Sequence, residues 1–380
     1  PSLRQTWTSD DLPANPAPAE VVDALESVVR PADDMTILFT SGSRGTPKGI
    51  IHTHGNALRA TAATLDDRRV RTGERLYIPM PFFWTGGFSG GLITALLAGA
   101  TLLTEAEPEP ERTIRFLERE RATLFRGWPD QAARLAAHPA FGDADLSALR
   151  PASLPAVLDP DRRPQPGARP SLFGMTETFG PYCGAPMDRD LPQDKHGSLG
   201  RPFAGVEVRV TDPDTGTEVA AGAEGEIRLR GSSLMRGICG RHRSEVFTAD
   251  GYYRTGDLGV LDADGYLWFR GRLDDMVKVK GATVYPLEVE AALRDVPGVL
   301  EAYVTDVTDP TDDAVRHIAA LVVAQPDVRQ PDLVEGARTR LSGFKIPTRW
   351  LVTGDPAEVP RSAGGKVDVA AVRRLFTDRR

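Results

Sequence analysis

Hydrophobic and polar positions divide the chain into two regions with different patterns. Residues 17–30 carry apolar positions at helical spacing after a proline start, and "DDMTILFT" then predicts a buried strand. Further on, "PERTIRFLERERATLFRGWP" predicts a helix followed by a strand. Alternating helices and strands predict an α/β fold for this first region.

From about residue 196 the pattern changes to short alternating strands separated by turn residues. "VEVRVTDPDTGTEV", "GEIRLRG" and the hairpin "GVLDADGYLWFRG" predict an antiparallel sheet or small barrel. Later elements are predicted as a helix near Pro286 to Arg294, strands near Val299 to Thr305 and His317 to Ala324, and a helix near Asp332 to Leu341. We therefore predict a large domain with several α/β and β parts over residues 1–272, and a small, mobile α+β domain over residues 273–380.

Composition limits the class of protein. The chain of 380 residues is 41% hydrophobic and 26% charged, and no apolar run approaches the length of a membrane span. A net charge of -7 argues against a nucleic-acid partner, which normally meets a basic face. Cys183 and Cys239 have no metal-ligand spacing, and the start of the chain has no secretory apolar region. These features predict a globular cytoplasmic protein.

The stretch "ILFTSGSRGTPKGIIHTHGN", residues 37–56, follows an apolar strand with a loop of glycine, serine and threonine and one lysine. Backbone N–H groups and hydroxyls of such a loop donate to phosphate oxygens, while the ammonium supplies charge. We expect the loop at the carboxyl end of a strand, where α/β folds bind ligands. A Walker A loop needs glycine before its lysine and serine or threonine after it. Here Lys48 lies between Pro47 and Gly49, so the loop is not of that type. Taken alone, an ordinary flexible loop is the alternative.

Four further motifs are polar and interrupted by glycine. They are "SLFGMTETFG" (171–180), "YYRTGDLG" (252–259), "GRLDDMVKVKG" (271–281) and "PRSAGGKVD" (360–368). Each alone has a structural explanation, such as a helix cap or a solvated loop. In this order and spacing they resemble the adenylate-forming superfamily, in its acyl-CoA synthetase branch, over nearly the whole chain.

The resemblance implies that the protein uses ATP, Mg²⁺ and CoA, and it implies a role for each matching residue. The leaving pyrophosphate would be held by Thr40, Ser41, Gly42, Ser43, Arg44, Gly45 and Lys48. Thr176 would contact the α-phosphate, and Glu177 would coordinate Mg²⁺, a hard cation that carboxylate and phosphate oxygens suit. Phe173 and Gly174 would line the adenine slot.

Three further residues complete the site that the resemblance implies for adenylation. Asp257 would accept hydrogen bonds from the ribose hydroxyls, and Arg272 would reach the ribose or a phosphate. Lys366 would bridge the carboxylate and the α-phosphate as charge builds in the transition state.

The small domain would then turn about a hinge at Asp274 and present another face for the second half-reaction. That face carries Lys278 and Gly281, the glycine leaving room for the CoA thiol arm.

This chain departs from the family pattern at several places. Arg44 stands where most relatives have threonine or serine, so it either grips phosphate more strongly or obstructs closure of the loop. The predicted substrate pocket, with Phe83, Trp84 and Gly87, has tryptophan where acyl ligases have histidine. Members also carry a long segment before the phosphate loop. If this were the whole chain, one sheet would be incomplete and apolar surface would be exposed.

The residues favour one activity and leave two alternatives open. The segment 80–91 has no carboxylate to pair with an amino acid's ammonium, so a small-molecule carboxylate with a neutral acyl or aryl group is the expected substrate. The leading hypothesis is an ATP-dependent carboxylate:CoA ligase that acts on a fatty or other acyl carboxylate. The alternatives are transfer to a carrier protein, and a nucleotide-binding or interaction module that is catalytically impaired.

Overall fold

The computed structural model describes residues 17–40, 47–170, 172–273, 277–279, 282–309, 312–361 and 367–378. Its α-helices are α1 (Ala19–Val28), α2 (His54–Ala62), α3 (Leu65–Arg68), α4 (Thr85–Gly87), α5 (Thr94–Ala98), α6 (Pro110–Arg119), α7 (Pro129–Ala136), α8 (Arg243–Val246), α9 (Pro286–Arg294), α10 (Gln330–Arg338) and α11 (Val369–Asp378). A π-helical stretch, Phe88–Ile93, joins α4 to α5.

The strands follow the same chain order. They are β1 (Asp34–Thr40), β2 (Lys48–Thr53), β3 (Arg75–Tyr77), β4 (Thr101–Leu103), β5 (Leu124–Phe125), β6 (Phe173–Met175), β7 (Gly180–Gly184), β8 (Arg201–Pro202), β9 (Val206–Thr211), β10 (Glu224–Gly231), β11 (Gly237–Ile238), β12 (Tyr253–Leu261), β13 (Leu267–Arg272), β14 (Val277–Val279), β15 (Ala282–Val284), β16 (Val299–Asp309), β17 (Asp312–Ala324) and β18 (Arg349–Thr353).

Backbone contacts divide the chain into two compact units. The first comprises Pro1–Val157, Gly174–Pro181 and Ser232–Arg243, and the second comprises Leu158–Phe173, Tyr182–Gly231 and Ser244–Arg380. Two short segments from the middle of the chain therefore return to the first unit. The predicted domain boundary after Arg272 lies inside the second unit and stays a prediction.

The phosphate-loop stretch forms an antiparallel hairpin in the first unit. β1 pairs with β2, Thr40 lies opposite Lys48, and β11 pairs with the other side of β2. The loop follows the carboxyl end of β1, as expected, and the strand after it, β2, runs antiparallel to β1. α2 begins immediately after β2, where Asn56 and Thr53 form a capping box.

A second sheet of the first unit confirms the predicted α/β arrangement. β3 lies between β4 and β5 and is parallel to both. The connections are helical, through α4, the π-helical stretch and α5 before β4, and through α6 before β5. Leu76, Tyr77 and Leu124 of this sheet are fully buried, as is usual for parallel strands covered by helices.

The first two elements of the first unit have an exposed apolar surface. α1 buries none of its side chains, and Leu25 and Val28 are 63% and 65% exposed. On β1, Ile37 and Phe39 are 47% and 67% exposed. Leu38, between them, faces the opposite side and is buried, as the alternation of strand side chains requires.

The second unit contains the antiparallel sheet that was predicted from the alternating pattern after residue 196. The strand order is β13-β12-β10-β9, and each neighbouring pair is antiparallel. Ile227, Leu229 and Leu267 form fully buried positions in it.

The last sheet shows why the end of the chain folds as α+β. β16 and β17 are antiparallel, and β18 is parallel to β17. Alternate residues of β17 point to opposite faces: Ile318, Ala320 and Val322 pack in the cluster that contains residues of α9 and α10. Leu321 and Val323 pack on the other face, against residues that include Val372 of α11. The predicted helix Pro286 to Arg294 is confirmed with those bounds.

Among the described residues, none of the helices is long and apolar enough to cross a membrane.

Replacement of a buried strand residue measures how much the antiparallel sheet contributes to stability. We expect Ile227→Ala to lower the free energy of unfolding by about 2–5 kcal/mol, because the side chain is fully buried and leaves a cavity. The control is Val352→Ala on β18, whose side chain is 41% exposed, with an expected cost of about 0.5 kcal/mol or less. Urea unfolding measures both. Equal costs for the two variants would contradict the placement of Ile227 in a core.

Candidate active site

The strand β2 connects the phosphate-loop hairpin to the Thr176–Glu177 turn. Lys48 begins β2 opposite Thr40 at the base of the loop. Four residues later, His52 of the same strand is fully buried, and its Nε2 lies 2.7 Å from the carbonyl oxygen of Thr176. The carbonyl can only accept, so Nε2 carries the proton and donates. Two motifs that are 124 residues apart in sequence are thus joined by one hydrogen bond.

The other ring nitrogen of His52 is held by the start of α2. Asn56 Nδ2 lies 2.7 Å from His52 Nδ1 and donates to it, because Nδ1 carries no proton in this tautomer. The amide oxygen of Asn56 accepts from the backbone N–H of Thr53 at 2.6 Å. The His52 ring also packs on Phe179, with centroids 4.9 Å apart. The imidazole is therefore fixed in position by contacts on both nitrogens and one face.

Burial determines the charge of His52. Removal from water lowers its pKa to about 4, although the hydrogen bonds to Thr176 and Asn56 oppose the shift. The ring is therefore neutral at pH 7, in agreement with a tautomer that donates at one nitrogen and accepts at the other. His52 was not among the predicted site residues, and its sequence signal is a histidine directly after two isoleucines in β2.

The Thr176–Glu177 turn is held at several backbone points. Residues Thr176–Thr178 form one 3₁₀ turn. The backbone N–H of Met235 donates to the Glu177 carbonyl at 2.8 Å, and the Thr178 hydroxyl donates to the carbonyl of Gly180 at 2.6 Å. Phe179 ends the turn in a left-handed conformation, with φ of 55°, and is fully buried. Glu177 itself is buried, and Thr176 is half-buried.

Gly174 is needed where two backbone segments approach each other. A Cβ atom at this position would lie 2.1 Å from the carbonyl oxygen of Gly180 and 2.4 Å from Cα of Pro181. No side chain fits there, because both neighbouring atoms belong to the backbone. The glycine predicted for the adenine slot thus has a packing role within the first unit.

Aromatic side chains of the predicted substrate segment pack against each other and against Trp128. Trp84 packs against Phe83 and Trp128 at edge-to-face angles, with ring centroids 5.6 and 5.3 Å apart. Phe83 is 71% exposed. Gly87 is buried, and a Cβ atom there would lie 2.2 Å from the carbonyl oxygen of Pro81, so this glycine allows the end of α4 to pack closely on the preceding backbone. Trp84, which stands in place of the family's histidine, is thus part of an aromatic cluster with Trp128, a residue that sequence analysis missed.

The second unit brings together three of the residues predicted to bind the nucleoside. Asp257 and Arg272 lie opposite each other on β12 and β13. Arg272 Nη1 donates to Asp257 Oδ1 at 2.7 Å, and Asp257 is buried. The ring of Phe173 lies 5.5 Å from that of Tyr182 and 5.1 Å from that of Phe269.

Tyr182 links this aromatic group to the carboxylate. Its side chain is fully buried, and burial together with the negative charge of Asp257 raises its pKa well above the usual range. Within the part of the chain that the structure describes, its hydroxyl has no hydrogen-bond partner. The phenol therefore remains protonated. Tyr182 and Phe269 were not predicted, because their role depends on strand pairing rather than on a motif.

The remaining predicted residues lie outside the described residues. These are Ser41, Gly42, Ser43, Arg44 and Gly45 of the phosphate loop, the hinge residue Asp274, Gly281, and Lys366. Lys278 is described only for its backbone, within β14. Their roles stay predictions.

The donor set suits Mg²⁺ shared with a ligand rather than a metal held by protein alone. Among the described side chains, no group of three or more His, Cys, Asp or Glu could hold a metal ion. Glu177 offers a carboxylate beside the Thr176 turn, and Mg²⁺ commonly binds through one or two carboxylates together with substrate phosphates. The residues present therefore fit a magnesium ion that arrives with a nucleotide.

Fold and site together define an adenylate-forming enzyme, and comparison with known proteins agrees. Residues 2–239 match the AMP-binding enzyme family. The chain therefore belongs to the AMP-binding enzyme family of the adenylate-forming superfamily.

Three similar proteins show how far the likeness extends. The feruloyl-CoA synthase of an Amycolatopsis species is 33% identical over 355 residues, which cover 90% of this chain and 70% of that protein. The indoleacetate–CoA ligase of Aromatoleum aromaticum is 31% identical over 359 residues, which cover 91% of this chain and 68% of that protein. Among solved structures, ATP-bound MatB from Rhodopseudomonas palustris superposes with a TM-score of 0.75 at 27% identity, covering 90% of this chain and 68% of that one.

The buried His52 makes stability depend on pH in a defined direction. Its folded pKa of about 4 is below the unfolded value of 6.5, so the stability it contributes is present above pH 6.5 and is lost as pH falls towards 4. We expect the free-energy difference between the parent and His52→Gln to shrink by about 2 kcal/mol from pH 7.5 to pH 5.0, because glutamine does not titrate. Urea unfolding of both proteins at both pH values measures this. Parallel pH dependences would disprove the assignment.

A methyl group at Gly174 tests the close backbone approach. We expect Gly174→Ala to lower the free energy of unfolding by about 1–3 kcal/mol, because the neighbouring backbone must shift. Gly142→Ala is the control, since that glycine has right-handed helical angles and open space around its Cβ position. Its stability should be unchanged or slightly higher. If both variants unfold at the same urea concentration, the two segments do not approach as described.

Proposed function

We propose that this protein activates a carboxylate with ATP and transfers the acyl group to the thiol of CoA. The observation that supports the proposal most strongly is the hydrogen bond from His52 to the Thr176 carbonyl. It holds the Thr176–Glu177 turn against the strand whose first residue is Lys48, so a phosphate-loop lysine and the turn for the α-phosphate have fixed relative positions. Fixed donors and charges are what phosphoryl and nucleotidyl transfer require of a protein.

In the first half-reaction, a carboxylate oxygen attacks the α-phosphorus of ATP, and the bond from that phosphorus to the pyrophosphate oxygen breaks. Lys48 and the loop would stabilise the charge on the leaving pyrophosphate. Thr176 would donate to an α-phosphate oxygen, and Glu177 would hold Mg²⁺, which neutralises phosphate charge when bound. Lys366 would stabilise charge that builds between the carboxylate and the α-phosphate.

The nucleoside would bind through residues of the second unit. The ring of Phe173, supported by Tyr182 and Phe269, offers a flat surface for adenine. Asp257 would accept from the ribose hydroxyls, with Arg272 orienting its carboxylate through a hydrogen bond. The pairing of Asp257 with Arg272 thus supports the nucleoside roles that the motifs imply.

In the second half-reaction, the thiolate of CoA attacks the acyl carbonyl of the acyl-adenylate and AMP leaves. Asp274 would be the hinge for the domain movement, and the face with Lys278 and Gly281 would admit the thiol arm. CoA is the preferred acceptor because the similar proteins include CoA ligases for ferulate and indoleacetate. A carrier-protein thiol is the alternative acceptor. The low cysteine content supports a cytoplasmic location.

The carboxylate is proposed to be an acyl or aryl acid without an ammonium group. The cluster of Phe83, Trp84 and Trp128 offers aromatic surface near the predicted substrate segment. Such surfaces favour flat or apolar acyl groups. Fatty acids and aromatic acids are therefore the two groups to compare.

The decisive measurement is pyrophosphate release from ATP and Mg²⁺ across fatty and aryl carboxylates, with and without CoA. We expect release that depends on the carboxylate and rises with CoA. Glu177→Gln and Lys366→Ala should each reduce it by a factor on the order of 100, because the first removes the carboxylate proposed to hold Mg²⁺ and the second removes the positive charge proposed to stabilise the transition state. Glu358→Gln, at an exposed position in a 3₁₀ turn, is the matched control and should behave as the parent does.

Three results would change the proposal. Release that does not need a carboxylate would contradict it. Acyl-adenylate formation that CoA leaves unchanged but a carrier-protein thiol accelerates would support the alternative acceptor. ATP binding without turnover on any acid would support the binding-module alternative.

A further inference from the structure

Two buried arginines lie in contact in the first unit, and neither forms an ion pair with a carboxylate of the described residues. Arg68 and Arg126 are each only 6% exposed. Arg126 donates through its two terminal nitrogens to the backbone carbonyls of Ala152 and Arg68, while its Nε, also buried, has no partner among the described residues. Arg68 donates through Nε to the Thr64 hydroxyl at 2.9 Å. The ion pairs of the described residues include neither arginine.

Burying two adjacent cations of this kind without a paired anion costs folding free energy. Burial lowers the pKa of Arg68 to about 10, and burial together with the charge of Arg68 lowers that of Arg126 to about 9. Both groups are still protonated at pH 7. Buried charges in proteins are nearly always paired with an opposite charge, because desolvation without pairing costs several kcal/mol. An anion beside Arg68 would supply the missing partner.

The residues next to the Arg68 guanidinium indicate which ligand would carry that anion. A Cβ atom on Gly90 would lie 3.3 Å from its Nη1, and one on Gly180 would lie 4.0 Å from its Nη2. Gly90 belongs to the π-helical stretch that continues the predicted substrate segment. Gly180 follows the Thr176–Glu177 turn. The guanidinium therefore lies near both the predicted substrate segment and the Thr176–Glu177 turn, beside two glycines, which have no side chain.

Hydroxyl groups near the same place complete a polar environment. Ser89 is buried next to Gly90, and its Oγ lies 3.2 Å from Thr61 Oγ1 and would lie at the same distance from a Cβ atom on Gly180. Local π-helical geometry is rare and frequently occurs at functional sites. Arginine recognises carboxylates well because its planar donors form two parallel hydrogen bonds to the two oxygens.

We propose that Arg68 binds a second acidic group at the far end of the acyl substrate, so that the preferred substrates are dicarboxylic acids. One carboxylate is activated and the other pairs with the Arg68 guanidinium. Arg126 positions Arg68 by donating to its backbone carbonyl and adds positive charge behind it. This inference rests on the proposed function and specifies its substrate class.

The test compares acids that differ only at the far end. Linear dicarboxylates are paired with monocarboxylates in which a methyl group replaces the second carboxyl group, over several chain lengths, and terephthalate is paired with 4-methylbenzoate. The readout is kcat/KM for pyrophosphate release. In the parent protein we expect at least one diacid to exceed its matched monoacid by tenfold or more.

Variants then assign the preference to Arg68. Arg68→Met should remove the preference for the diacid and leave the monoacid value within about threefold, whereas Arg68→Lys should retain part of the preference. Arg59→Met, at an exposed position on α2, is the matched control and should keep the full preference. If Arg68→Met does not fold, the parent and Arg68→Lys decide the question through the same ratio.

The outcomes separate this inference from the function on which it rests. Turnover of monoacids as fast as or faster than of every diacid would overturn the inference and leave the ligase proposal standing. No turnover with any acid would count against the ligase proposal. In that case calorimetric binding of each diacid and its methyl analogue to the parent tests Arg68 directly, and equal affinities would overturn the inference.

Discussion

The hydrogen bond from His52 to the Thr176 carbonyl is the interaction on which the arrangement of the candidate site depends. It joins β2, which begins at Lys48, to the turn that carries Thr176 and Glu177. The imidazole can donate to Thr176 and accept from Asn56 at the same time only while it is neutral, and burial keeps it so. A protonated ring would still donate at Nε2, but it could no longer accept from Asn56. The capping box of α2 and the orientation of the turn are therefore parts of one buried hydrogen-bond network.

The proposed binding of an anionic nucleotide relies on local charge rather than on net charge. The chain is acidic overall, at -7, yet the groups proposed to meet the nucleotide include Lys48 and Arg272. Arg272 also stabilises the charge of Asp257 across the β12–β13 pair. Because buried or partly buried pairs are screened little by salt, a few such groups outweigh the distant surface carboxylates.

Glycine and aromatic residues shape the space around these charges. Gly174 and Gly87 stand where a Cβ atom would collide with backbone, so they permit a close approach that no other residue allows. Gly90 and Gly180 differ in kind, because the nearest atoms to their Cβ positions include the ends of the Ser89 or Arg68 side chains. Trp84, in the place of a histidine, makes an edge-to-face contact with Trp128 instead of offering a polar group. The proposed recognition of the substrate therefore rests on other positions, among them Arg68.

The sequence by itself determined the local structure and the residues of the motifs. Alternation of apolar and polar residues predicted strands such as the one in "GEIRLRG", because this pattern follows from the geometry of a single strand. The helix Pro286 to Arg294 was also predicted from the sequence. Tertiary structure decided which distant segments meet. His52 and Thr176 are 124 residues apart, Arg126 and the Arg68 carbonyl are 58 apart, and the hairpin direction of the phosphate loop follows from pairing with β2. Such contacts depend on the order in which strands pair and on how several elements pack together. The residue pattern within one segment holds no information on either.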